Sequence, residues 1–329
     1  MRPARTASAL RFSQERIVFG IAAALFAVFA FTLPGFIGVD NLLPLLRNVS
    51  VLGILGIAMA IVVIGRGIDL SLVASMVIAV AWAMSLAQPG QSATVPLLTG
   101  LALILAVGII NGILVAYVEI PALFATLGMG AVVYGLGMFS LLNQEIIPLP
   151  SHWNTVQQVG TGALLGIPMP VLVFAFVAVL AALFFHYARA GRYIRAIGDN
   201  PLAARLTGLP VRPIICLQYV LTAVVGYLAG IVTAATVATM NTRVANSSLV
   251  YDVILVVVLG GIGLAGGKGG VRNVIVGTLL IGILINGMTI MNLQYTLQNV
   301  IKSLILLTAI IVDSVLNPRD EQTAQQGDI

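Results

Sequence analysis

About ten apolar runs, most of them long enough to cross a bilayer, take up nearly the whole of this 329-residue chain. They lie near 17–33, 49–64, 71–87, 95–118, 121–142, 168–188, 214–239, 251–265, 273–290 and 298–316. A hydrocarbon core about 30 Å thick needs about 20 apolar residues per helix, and lipid offers backbone N–H and C=O groups no partner, so such runs fold as helices. Charged residues make up only 8% of the chain, against about 25% in soluble domains. The chain therefore reads as an all-α polytopic membrane protein of about ten transmembrane helices. The turns at Arg66–Asp69 and Glu119–Pro121 are tight enough for a re-entrant or broken helix, which sets the range at about eight to eleven.

Three segments follow: an N-terminal segment 1–16, a transmembrane domain 17–316, and a polar tail 317–329 expected to be disordered. No stretch of about 100 residues is left for a soluble catalytic domain, so any nucleotide hydrolysis belongs to a partner. Cys216 is the only cysteine, which excludes an intrachain disulfide and a cysteine metal cage; His152 and His186 do not change that, and no metal is expected. HExxH and GxSxG are absent, so no hydrolytic centre is read.

Charge fixes the expected orientation. With Arg2, Arg5, Arg11 and Arg16 inside, ten crossings put Arg66, Arg189, Arg192, Arg195, Arg205, Arg212, Lys268, Arg272 and Arg319 on the cytoplasmic side. Arg47 and Arg243 face out, with Lys302 near the outer end of its span, and both termini are predicted to be cytoplasmic. The net charge of +5 records this asymmetry rather than nucleic-acid binding. The first run could also be a cleaved signal, but no clear A-x-A site precedes Pro34 and more spans follow.

Residues 189–213, with five arginines, form a cytoplasmic island holding a miniature helix. Asp199 or Asn200 can cap it, Pro201 suits its first position, Leu202 to Thr207 propagate it, and Gly208 supplies a left-handed stop. A helix of about two turns gains little alone. It is either a well-capped connector or a docking element. On the outer side, 143–168 mixes prolines, amides, His152 and Trp153; it is a surface for a soluble partner, or a lid with Trp153 as an interfacial anchor.

Other signals are decoys or packing devices. Gly261-x-Gly263-x-x-Gly266 lacks the βαβ setting of a dinucleotide site, and Gly267-Lys268 is followed by glycine where a phosphate loop needs Ser or Thr. The stretch 259–271 reads instead as a bent span end with close backbone approach. Gly108 with Gly112 and Gly226 with Gly230 permit tight helix packing. Asp69, Glu119, Asp252, Lys302 and Asp313 are the ionisable residues in or beside spans; Asp69 is close enough to Arg66 to pair if that segment is helical, and Asp252 with Lys302 suggests a pair or gate.

Four motifs occur in order: Gly67-Ile68-Asp69-Leu70-Ser71; Ile120-Pro121-Ala122 with Ala125-Thr126-Leu127-Gly128; Ala196-Ile197-Gly198-Asp199-Asn200-Pro201 with Ala203-Ala204-Arg205 and Gly208; and Leu259-Gly260-Gly261 with Gly266-Gly267-Lys268-Gly269. Together they resemble the permease subunit of ribose-type ATP-binding-cassette sugar importers, from about residue 40 to 315. The resemblance implies a bacterial inner-membrane protein that moves a pentose, hexose or related molecule by alternating access, with no cofactor of its own. It implies a cytosolic ATPase subunit carrying ATP and Mg, a periplasmic sugar-binding protein, and a second permease copy or paralogue. It assigns Asp199, Asn200, Pro201, Leu202, Ala203, Ala204, Arg205 and Gly208 to a coupling helix that docks on the ATPase. Leu202 stands where relatives commonly have Glu, Arg66 where glycine is usual, and Leu72-Val73-Ala74 where Val-Gly-Ser is frequent. Candidate pathway residues are Asp69, Asn111, Tyr134, Asn143, Asn241, Asn246 and Asn286, each of which could equally serve as a helix–helix hydrogen bond. The alternative is an ion-coupled secondary transporter or channel, which predicts a coupling carboxylate in mid-membrane and leaves the capped helix unexplained.

Overall fold

The computed structural model describes residues 14–142 and 144–316. The N-terminal arginines Arg2, Arg5 and Arg11, Asn143 and the tail 317–329 lie outside the described residues.

Every predicted span falls on a helix. These are α1 (Gln14–Thr32), α2 (Val39–Ile64), α3 (Leu72–Ser85), α4 (Thr94–Ala116), α5 (Ala122–Leu136, continued by a π turn at Gly137–Leu141), α7 (Met169–Tyr187), α10 (Val211–Val237), α11 (Leu249–Leu259), α12 (Val271–Ile290) and α13 (Tyr295–Leu316). Between them lie β1 (Ile146–Pro148), α6 (Asn154–Thr161), β2 (Ala163–Leu164), β3 (Ile167–Pro168), α8 (Arg189–Asp199), α9 (Pro201–Leu206) and β4 (Thr239–Asn241).

Two boundaries differ from the sequence expectation by more than three residues. α2 starts ten residues earlier than the apolar run, because Asp40, Asn41, Pro44, Arg47 and Asn48 dilute the hydropathy of a first stretch that is nonetheless helical. α11 stops after 11 residues, where Gly260 and Gly261 begin a loop the apolar count had run through.

Among the described residues, seven helices are long and apolar enough to cross a membrane, while the apolar helices α3 and α11 are shorter, at 14 and 11 residues. At about 1.5 Å per residue, α3 reaches about 21 Å and α11 about 16 Å, well under the roughly 30 Å of a hydrocarbon core. Half-length helices cannot stand in lipid with free ends, and both are sheltered. α3 is buried along nearly its whole length against α4, α5 and α10. α11 is held between α2, α12 and α13.

The long helices explain the symmetry of that arrangement. α2-α3-α4-α5 and α10-α11-α12-α13 each run long, short, long, long. α2 packs on α10, α11 and α12, just as α10 packs on α2, α3 and α4. α10 lies antiparallel to α2: its Gln218 abuts Gly65, and Thr222 Oγ1 donates to Ala58 O at 2.9 Å. The chain is thus an inverted repeat of two quartets. The repeat extends to the stops: Arg66, Glu119, Ala238 and Asn292, just past α2, α4, α10 and α12, all take positive φ, between 55° and 65°. A left-handed residue at a helix end turns the chain out of the helix and satisfies its last carbonyls, and non-glycine residues hold it only where surrounding packing demands it.

Helix packing without water to expel depends on close approach. A Cβ at Gly112 of α4 would come within 2.7 Å of Cys216 Cα on α10, so the glycine pair read from the sequence brings these two backbones together. Outward, α1, α5, α7 and α13 present Phe31, Phe139, Phe176 and Leu304 to the surroundings, as lipid-facing helices do.

At the end opposite α8 and α9, β1 pairs antiparallel with β4. α6 lies across α7 and α10, with Gly160 seated on the Ala235–Thr236 backbone. The segment is a lid over helix ends. Trp153 corrects the expectation of an interfacial anchor: it is 2% exposed, turned inward under the lid instead of out to the membrane surface.

Candidate functional site

The basic island folds as two helices, not one. In α8, Arg189, Arg192 and Arg195 recur every three residues on one side, while Ile194 and Ile197 are buried on the other. That amphipathic pattern is present in the sequence, directly before the capped segment. In α9 the Asn200 side chain accepts from Ala203 N at 2.9 Å, so Asn200, not Asp199, is the cap. Pro201 opens the helix, Thr207 Oγ1 donates back to Ala203 and Ala204 carbonyls, and Gly208 at φ 78° stops it.

Ala204 is placed differently from the expectation that it forms part of an outward docking face. It is 4% exposed, and Leu209 N donates to its carbonyl at 3.0 Å, so its small size seats α9 on its own chain. The outward face carries Leu202 (68% exposed), Ala203 and Leu206 (82% exposed), with Arg205 half-buried at its edge.

One arginine ties this island to the bundle. Arg66, just past α2, donates Nε–H to Gly198 O (2.7 Å) and Ala265 O (2.8 Å), and Nη2 to Asp199 O (3.0 Å). The segment is not helical there, so Arg66 departs from the spacing that would pair it with Asp69. Gly267 N donates to Ile64 O at 2.8 Å, and a Cβ at Gly198 would overlap that same carbonyl. Arg195 Nη2 adds a bond to Gly269 O at 3.3 Å. Three loops, following α2, α8 and α11, therefore meet at one joint, and the glycine-rich stretch supplies the close approach read from its sequence. Beside it, Arg212 at the start of α10 pairs with Glu119 at 2.7 Å.

The candidate pathway residues fall into separate groups. Asp69 and Asn111 come together. Asp69 Oδ1 accepts from Ser71 N (2.9 Å) and Ser71 Oγ (2.6 Å), Asn111 Nδ2 donates to Ser71 Oγ (2.8 Å), and Thr126 Oγ1 accepts from Leu70 N (3.0 Å). This junction is the entry to α3 and is closed: Asp69 is 3% exposed, and the space beside it holds no water-sized void. Asn286 exchanges two hydrogen bonds with Asn41, at 3.0 and 2.8 Å, tying α12 to α2. Asn241 Oδ1 accepts from Arg243 N at 3.0 Å and, with Asn246, bounds the 3-10 turn before α11. Tyr134 lies half-buried on α5.

Of the second junction, at the entry to α11, the Asp252–Lys302 pair was legible in the sequence, but Ser248, Tyr295 and Asn299 were not. Ser248 Oγ donates to Asn299 Oδ1 (3.0 Å) and lies 3.1 Å from Tyr295 Oη, and Lys302 Nζ bonds Asp252 Oδ2 at 2.8 Å. The signal was the repeat itself: Ser71 and Ser248 both immediately precede a short helix, and Thr126 and Asn299 are each the fifth residue of the helix that closes its quartet. Here the junction opens into a cavity of about 240 Å³ between α11 and α13.

Comparison with known proteins agrees with this architecture. The family described as "Branched-chain amino acid transport system / permease component" matches residues 41–312. The ribose import permease protein RbsC of Escherichia coli K12 is 32% identical over 291 residues, covering 88% of this chain and 90% of that protein. The galactofuranose transporter permease protein YtfT of the same organism is 32% identical over 271 residues, covering 82% and 78%. The L-arabinose ABC transporter permease protein AraH of Azospirillum brasilense is 30% identical over 289 residues, covering 88% and 84%. No solved structure matches. A match over most of its length, on a bundle with apolar outer helices, makes this a multi-pass membrane permease component and not an enzyme: the chain belongs to the family of transport-system permease components.

Proposed function

We propose that the chain is the permease subunit of an ATP-driven importer of a small sugar in a bacterial inner membrane, working by alternating access. ATP and Mg sit on a cytosolic ATPase partner, a periplasmic binding protein delivers the sugar, and a second permease copy or a paralogue completes the path. The basic end, with α8, α9 and the Gly260–Gly270 loop, faces the cytosol, and the ten helices are ten spans with both termini inside. The clustering of Arg66, Arg195, Arg205, Arg212 and Lys268 at that end supports this orientation. Similarity to ribose, galactofuranose and arabinose permeases supports the substrate class.

The observation that carries the coupling role is the Arg66 joint. A two-turn helix on a free loop would absorb a push from a partner by bending. α9 instead follows Asp199, which is fastened by Arg66 to the ends of α2 and α11, one helix from each quartet. Displacement of α9 by closing ATPase domains is thereby delivered to both halves of the repeat. The permease needs only two conformations of comparable free energy, each biased by partner contacts.

The test is purification of the tagged chain from its native membrane with whatever accompanies it. An ATPase subunit, a binding protein and sugar-stimulated hydrolysis are expected. A chain recovered alone, with uptake that persists without ATP and collapses with the ion gradient, overturns the proposal. Within the complex, Leu206→Glu on the exposed face should abolish sugar-stimulated hydrolysis while leaving membrane insertion at the wild-type level.

A further inference from the structure

The cavity between α11 and α13 combines a polar wall, an apolar wall and a buried ion pair. Its polar side is built from Ser248, Asp252, Asn299, Lys302 and Ser303, and its apolar side includes Leu255, Leu306 and Ile310. Asp252 and Lys302 are 8% and 6% exposed, and they bond each other at 2.8 Å. Burying two charges is costly unless both are paired and their remaining valences are met. Here they are paired, but capacity is left over. Among the described residues, Asp252 Oδ1 and Ser303 Oγ receive no hydrogen bond, and Lys302 uses two of its three N–H groups, on Asp252 and Ser248.

We infer that this cleft is a subsite for a neutral polyhydroxylated ligand of monosaccharide size, held by Asp252, Lys302 and Ser303. This rests on the importer reading and specifies where along α11 and α13 the sugar is met. The volume, about 240 Å³, falls below the 300–1,000 Å³ usual for drug-sized ligands and suits a single sugar ring. Hydroxyl groups can donate to the free carboxylate oxygen and accept from the remaining ammonium proton without disturbing the ion pair. The pair is neutral overall, so a neutral polyol adds no charge to a site that is already desolvated. The leucine side receives the C–H face of a ring.

The corresponding place in the other quartet shows what a purely structural junction looks like. At the entry to α3, Asp69, Ser71 and Asn111 bond one another and, although Asn111 Oδ1 is unpaired, no water-sized space remains for a ligand to reach it. The cavity is therefore not a by-product of half-helix geometry.

The test uses the whole complex in proteoliposomes, with a Ser303→Cys, Cys216→Ala chain to report occupancy. D-ribose, L-arabinose and D-galactose are offered in turn, with L-leucine as the zwitterionic control. Maleimide labelling at position 303 should be slowed by the transported sugar and not by L-leucine. Ser303→Leu, which fills the mouth at an exposed position, should lower sugar uptake per ATP hydrolysed on the order of tenfold, as should Asp252→Asn paired with Lys302→Gln. The paired variant should also change the uptake ratio of ribose to arabinose, which a merely structural role does not move. If the wild-type complex imports a sugar but labelling is indifferent to it and Ser303→Leu imports normally, the subsite is wrong and the importer stands. Import of L-leucine and of none of the sugars overturns both. Should the paired variant fail to fold, labelling and Ser303→Leu decide the matter alone.

Discussion

The entries to the two half-helices solve one backbone problem with opposite chemistry. Before α3, Asp69, Ser71, Asn111 and Thr126 form a dry knot around the Ser71 hydroxyl and the turn at Leu70, with Asn111 Oδ1 left unpaired inside it. Before α11, Ser248, Asn299, Tyr295 and the Asp252–Lys302 pair stand around an open cleft. The difference teaches that an inverted repeat conserves the places where a helix is interrupted, while the side chains at those places are free to specialise. One interruption serves packing; the other is left accessible.

The comparison breaks most visibly at Lys302. Lys302→Met strands the Asp252 carboxylate, and thermal unfolding in detergent should show a loss of about 3–5 kcal/mol. Adding Asp252→Leu should recover most of it, since a buried pair replaced by apolar groups is often neutral. If the double variant stays as unstable as the single one, the pair contributes more than mutual neutralisation. A smaller effect, about 1–3 kcal/mol, is expected for Asn111→Leu, which removes a fully buried donor to Ser71. Asn299→Leu should cost less than that, about 0.5–1.5 kcal/mol, because Ser248 retains Tyr295 and the cleft admits water. Equal losses at Asn111 and Asn299 would erase the distinction between a closed and an open junction.

Much of this architecture was legible in the sequence because lipid imposes a simple rule on apolar length. The apolar helices, the α9 cap and the glycine-rich loop all followed from local signals. Three features did not. The start of α2 hid behind Asp40, Pro44 and Arg47, whose polarity outweighs their helical geometry in any hydropathy count. Ala204 has a methyl group whose inward direction is set by how α9 seats on the bundle, not by its neighbours in sequence. Arg66 bonds carbonyls some 130 and 200 residues away, and carbonyls carry no sequence signature. Local chemistry marks where a chain turns; only the assembled bundle shows what the turn touches.

The shortness of α3 and α11 bears on the order in which the molecule can be made. Neither helix can rest across a bilayer by itself. The groups that shelter the start of α3 lie 40 and 56 residues later, on α4 and α5. Those that shelter α11 lie about 50 residues later, on α13. During synthesis each interruption therefore waits, unfinished, for a helix that has not yet left the ribosome, and each quartet closes only when its fourth member arrives.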